Sequence, residues 1–226
     1  MIRFLIWDAD GTLFDTYPAV SQALSEALRE RGVDVPAHDI HRLSRVSFGH
    51  CLCVLDEVHD VHIGEMHQGF EEIRDRVSPT DQPPFPGVRA LCRYAISIDG
   101  ANFILTHRDR ASLGKLLTAH DLGDLFKDIA AGDDGYPRKP DATGLEALIA
   151  RNRIPKEEAL VIGDRELDVL AGHAAGVRSC FYGTNPCTEP VEFAATDYAV
   201  LLEQLRREND NDNGRPNPPG NRESPF

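Results

Sequence analysis

The feature that most constrains this chain is a repeated unit, a short apolar strand followed by an amphipathic helix. Strands are read at residues 102–106, 128–132, 159–163 and 178–182, and helices at 110–120, 141–152, 166–175 and 199–207. Leu145, Leu148 and Ile149 recur at helical spacing. Runs such as Ala159-Leu160-Val161-Ile162 carry no polar face, so they belong inside a sheet covered on both sides. Short buried strands alternating with helices require parallel strands and right-handed crossovers, the doubly wound α/β sheet. Residues 2–7 join that sheet by composition.

Between this first strand and residue 85 the alternation stops. Residues 18–31 place Val20, Leu24, Ala27 and Leu28 on one helical face. Residues 37–46, 49–58 and 64–77 read as further helices, and the proline-rich stretch 82–87 returns the chain to strand–helix alternation. The expected organisation is a Rossmann-like core, residues 1–14 and 85–207, with an all-helical segment 15–84 inserted after strand one. From residue 208 onward almost nothing is apolar, so 208–226 is expected to stay disordered.

The first strand ends at two carboxylates, Asp8 and Asp10, followed by Gly11-Thr12. Alternate residues of an extended strand point the same way, so both can face one site, where they repel unless a cation or proton intervenes. A calcium loop fails on spacing, because Gly11 would be its fourth residue and Ala19 its twelfth. Asp-Gly is also a hairpin signal, but no second clean strand follows. An accidental surface pair stays open on this segment alone.

In open α/β sheets ligands bind beyond the carboxyl ends of the strands. Three more pieces lie at such ends. Thr106 offers a hydroxyl and free amides at a helix start, or simply a helix cap. Lys139 lies in a loop stiffened by Pro137 and Pro140, or is merely solvated. Asp164 and Asp168 lie one helical turn apart, or form an ordinary acidic first turn.

A formal net charge of −13 argues against nucleic-acid binding. No apolar run approaches the ~18–20 residues of a membrane span, and no leader is visible, so a cytoplasmic location is expected. Five cysteines without framework spacing fit reduced thiols. Cys51, Cys53, His59, His62 and His67 invite zinc, but no familiar ligand spacing links them.

Taken in order, Asp8-x-Asp10-Gly11-Thr12, strand-Thr106, Lys139-Pro140 and Gly163-Asp164-x-x-x-Asp168 resemble the haloacid dehalogenase-like hydrolase superfamily. The likeness covers about residues 1–205 and is strongest to the phosphoglycolate phosphatase and β-phosphoglucomutase branch. It implies strand order 5-4-1-2-3, with the helical insert as a cap over the site. It also implies a Mg²⁺-dependent phosphatase acting on a small phosphorylated metabolite through an aspartyl-phosphate. A phosphosugar mutase and a non-catalytic phosphate-binding module are the alternatives.

In that scheme Asp8 is the nucleophile and Asp10 the acid and base. Asp8, Asp164 and the Asp10 backbone carbonyl hold the metal, Asp168 orients metal waters, and Thr106 and Lys139 hold the phosphoryl group. Four carboxylates against one lysine then make the metal an electrostatic requirement. His107 stands where the branch often has Asn, and Trp7 and Ala9 also depart from its pattern. The insert segment 41–50 could meet the rest of the substrate through Arg42, Arg45 and His50, or be a solvated helix end. A dehalogenase is disfavoured because it needs neither Asp10 nor a metal. A phosphonate hydrolase is disfavoured because no Lys lies between Leu13 and Pro84. No nucleic acid or membrane is expected as a partner, and either a monomer or a homodimer is compatible.

Overall fold

The computed structural model describes residues 1–45, 48–59, 61, 73–74, 76–184 and 187–213. Six parallel strands form one sheet: β1 (Phe4–Trp7), β2 (Ala101–Leu105), β3 (Phe126–Ala130), β4 (Ala159–Gly163), β5 (Arg178–Tyr182) and β6 (Phe193–Ala195). Their spatial order is β3-β2-β1-β4-β5-β6. The first five strands therefore follow the order the family resemblance implied, and β6 adds an edge strand that its short run of three residues hid in the sequence.

β1 is central, with Trp7 level with Ile104 on one side and Ile162 on the other. Its alternation splits the core. Leu5 and Trp7 pack on one face with Leu113, Leu116, Tyr198 and Leu201, while Ile6 packs on the other with Phe103, Val161 and Leu148. Burial on both faces is why β1 reads as an unbroken apolar run.

Among the described residues the α-helices with both ends in view are α1 (Tyr17–Glu30), α2 (Ala37–Ser44), α3 (Phe48–His59), α4 (Val88–Ser97), α5 (Arg110–Ala119), α6 (Thr143–Asn152), α7 (Glu166–Ala175) and α8 (Tyr198–Asn213). Most expected elements appear within a few residues of their expected bounds, and α4 had not been singled out. Most of the expected helix 64–77 lies outside the described residues. The expected strand 128–132 starts two residues earlier and ends at Ala130, because the Asp134 carboxylate takes the next amide, Ala131 N–H, at 3.0 Å.

Helix α8 corrects the expectation that order ends at residue 207, since it continues to Asn213. The reason is tertiary. Buried Asn209 accepts from Ile2 N–H at 2.6 Å and donates to Ile2 C=O at 2.8 Å, tying α8 to the chain start. Residues 214–226 lie outside the described residues.

α1, α2 and α3 share a core of their own, with Leu24, Leu28, Ile40, Cys51, Leu52 and Leu55 buried together. The two chain segments that lead into and out of this helical layer pair with each other, Asp15 N–H to Pro83 C=O at 2.8 Å and Phe85 N–H to Leu13 C=O at 3.0 Å. Among the described residues no helix is long and apolar enough to cross a membrane.

Candidate active site

All the sequence-flagged core residues converge where β1, β2 and β4 end. Asp8 leaves β1 with its N–H on Ile162 C=O at 2.9 Å, so its carboxylate stands above the sheet and only 2% exposed. The chain then folds into a tight flap rather than a second strand. Phe14 N–H bonds Ala9 C=O at 3.0 Å and Gly11 N–H bonds Phe14 C=O at 2.9 Å. Gly11 has φ +78°, and a Cβ there would run into the Tyr17 ring and the Asp164 carboxylate. Tyr198 of α8 donates to Thr12 C=O at 2.8 Å, so the far end of the chain props the flap.

Lys139 comes from the loop after β3, and its ammonium is buried. It donates to Asp8 Oδ1 at 2.6 Å and to Leu105 C=O at 3.0 Å, and forms an ion pair with Asp168 Oδ1 at 2.5 Å. Its ammonium thus joins the motif at the end of β1 to the start of α7. Asp168 also accepts Arg165 N–H at 3.2 Å, capping α7. Asp164 accepts from Thr12 Oγ1 at 3.2 Å and from Tyr17 Oη at 2.9 Å. Oxygens of Asp8, Asp164 and Asp168 all lie within 4.8 Å of one another.

Such packing shifts the acids. Burial raises Asp8, against the pull of Lys139. Burial, then the negative charges of Asp8 and Asp168, outweigh Arg165 and lift Asp164 to about 7. Asp10 goes the other way. Burial would raise it, but the Arg108 guanidinium outweighs this and holds it at about 2.

Arg108 and Arg165 correct the expectation of one lysine facing four carboxylates. Arg108, 2% exposed, reaches Asp10 Oδ1 through Nη2 at 2.5 Å and Oδ2 through Nε at 3.2 Å. Ser112 Oγ at 2.8 Å and Gln82 Oε1 at 3.2 Å accept from the same guanidinium. Arg165 approaches Asp8 Oδ2 at 3.4 Å. The missed signal was local: both arginines occupy the very loops singled out for Thr106 and Asp164. Tyr17 was missed too, because nothing in the sequence places the start of α1 beside Asp164.

Thr106 is buried at the end of β2, with its hydroxyl accepting Arg108 N–H at 3.1 Å. His107 has a role of another kind, its Nε2 accepting Lys139 N–H at 2.8 Å. Burial, then the cations Lys139, Arg138 and Arg165, depress its pKa to about 2, so the imidazole is neutral.

The expected contacts from the helical insert separate. Arg42 is exposed and pairs with Asp39 at 3.0 Å, and His50 is exposed on α3. Arg45 instead lines a cavity of about 210 Å³ with Tyr17, His41, Asp164 and Thr184. Tyr17 stacks on His41 with centroids 6.0 Å apart, closing one wall. Of the zinc candidates, Cys51 is buried against Ile40 C=O and Cys53 is exposed on the same helix, while His62 and His67 lie outside the described residues.

Buried carboxylates and a lysine meet at the strand ends of a parallel α/β sheet, where such sheets bind ligands, and the set suits an anion bound together with a cation. The chain belongs to the haloacid dehalogenase-like hydrolase family, whose sequence profile matches residues 5–182. Among similar proteins, the phosphoglycolate phosphatase of Vibrio cholerae is 25% identical over 221 residues, covering 89% of this chain and 96% of that protein. That of Pseudomonas putida is 26% identical, covering 90% and 77%. A haloacid dehalogenase-like protein of Agrobacterium tumefaciens superposes with TM-score 0.74 at 17% identity, covering 92% of this chain and 100% of that one. A subfamily IA hydrolase of Geobacter sulfurreducens gives 0.68 at 18%, covering 91% and 100%.

Proposed function

We propose that this protein is a Mg²⁺-dependent phosphatase that hydrolyses a small phosphate monoester, a phosphoglycolate- or sugar-phosphate-like metabolite, through an aspartyl-phosphate on Asp8. The observation that carries this reading is the Asp8 carboxylate, buried at the end of β1 with Lys139 at 2.6 Å on one oxygen and Asp10 two residues on. Names of relatives and the site chemistry support the same class.

Hard oxygen donors suit Mg²⁺, and the close set of Asp8, Asp164 and Asp168 oxygens fits a cation that relieves their repulsion. Asp8 and Asp164, with the Asp10 backbone carbonyl, are the proposed holders. Bound there, Mg²⁺ would offset charge on the transferring phosphoryl group.

The chain's own groups do the rest. Asp8 supplies an oxygen to phosphorus, and hydrolysis of the acyl phosphate regenerates its carboxylate. Lys139 orients that carboxylate and, with Thr106, receives phosphoryl oxygens. Asp168 holds Lys139 in place from behind. Asp10, ionised against Arg108, is ready to take a proton from the attacking water. To give a proton to the leaving oxygen Asp10 must first take one up, which requires Arg108 to release its grip.

The experiment is hydrolysis of p-nitrophenyl phosphate and a panel of phosphorylated metabolites, with and without Mg²⁺. Activity should vanish with a chelator and in Asp8→Asn. Retained turnover in Asp8→Asn sinks the nucleophile assignment.

A further inference from the structure

Lys139, Arg108 and Arg165 each approach a carboxylate of the site, and they are held in different ways. Lys139 donates to Asp8 at 2.6 Å, and Arg108 grips both oxygens of Asp10. Arg165 grips neither of its partners. Its Nη2 lies 3.4 Å from Asp8 Oδ2 and its Nε 3.9 Å from Asp164 Oδ1. Charge-assisted bonds of a well-seated guanidinium run about 2.7–2.9 Å, commonly two in parallel. Nε is buried with no hydrogen-bond partner, although the side chain is only 14% exposed. Arg165 therefore straddles two carboxylates without locking onto either.

Its main chain is fixed by contrast, through the 3.2 Å bond from its N–H to Asp168 at the start of α7. The anchored backbone leaves the long side chain as the movable part. The two carboxylates it straddles are two of the three whose oxygens converge for a cation. A divalent ion between them would meet a positive charge a few ångströms away, at low effective dielectric, where repulsion is strong.

We infer that Arg165 is a resident counter-cation that a divalent metal must displace from Asp8 and Asp164, so that this side chain sets the metal affinity of the site. The inference rests on the metal reading given above. It makes Arg165 a positioning residue: it holds the carboxylates together before the metal arrives and yields when it does. A purely structural role in capping α7 would leave metal affinity untouched.

Calorimetric titration of Mg²⁺ into the full chain, paired with Mn²⁺ titration read by electron paramagnetic resonance, tests this without any activity measurement. Arg165→Met should bind about tenfold tighter than the unsubstituted protein, with Arg165→Lys between the two. Arg110→Met, which removes an exposed arginine paired with Asp134, should change nothing. Unchanged or weaker binding in Arg165→Met, or equal tightening in Arg110→Met, overturns the inference. Should Arg165→Met not fold, by circular dichroism, Arg165→Gln carries the same expectation and the same refutation. If the unsubstituted protein binds no metal, or Asp164→Asn binds as well as it does, the metal reading itself fails and the inference falls with it. Asp164-dependent binding with no Arg165 effect sinks the inference alone.

Discussion

Replacing His107 by Gln should remove an acid sensitivity written into the loop that carries Lys139. His107 Nε2 accepts the Lys139 amide at 2.8 Å, so the ring must stay neutral to make this bond. Burial and then the nearby Lys139, Arg138 and Arg165 charges hold its folded pKa at about 2, against 6.5 for an unperturbed histidine. The unfolded chain therefore takes up a proton below pH 6.5 that the folded one refuses. The stability this histidine permits is fully present above 6.5 and is lost as pH falls toward the folded value. One proton corresponds to about 1.4 kcal/mol per pH unit, so about 2.5 kcal/mol should be gone near pH ~4.5. Gln offers an acceptor at similar reach that does not titrate. Urea denaturation of both proteins at about pH 7 and about pH 4.5 isolates the effect, because titration of the carboxylates cancels in the difference. The variant should lose about 2–3 kcal/mol less than the parent on acidification. An equal loss in both would refute the idea that a neutral, buried His107 latches the loop.

Arg108→Met leaves Asp10 without its bidentate partner and should cost about 3 kcal/mol by urea denaturation, with Asp10→Asn in that background recovering most of it. Asn209→Ala removes the bonds to both backbone groups of Ile2 and should cost about 2 kcal/mol; a value near zero would mean that the last turns of α8 do not dock. Gly11→Ala combines a left-handed φ with a collision against Asp164, so calorimetry should show weakened Mg²⁺ binding in a chain that still folds.

The strand run Phe4–Trp7 and its terminal Asp8 were legible because burial on both faces leaves no polar residue in a central strand. Lys139 was legible only as one member of an ordered set. The tables turn with Arg108, Arg165 and Tyr17. Each is an ordinary residue type in a loop or at a helix start, and its meaning depends on which carboxylate lies across space.

By itself, then, the sequence determined the alternating parallel sheet, the helical insert and the identity of the acids and lysine at the strand ends. Periodicity and strand termini are local properties, carried by residues close together in the chain. Tertiary structure alone decided the charge state of the site. Asp10 at about 2 and Asp164 at about 7 are the same residue type, separated by what packs against them: Arg108 on one, burial and two further carboxylates on the other. Arg108 lies 98 residues from Asp10 in the chain, and Asp8 lies farther still from Asp164; those contributions, like the burial of both acids, are fixed only when the fold closes.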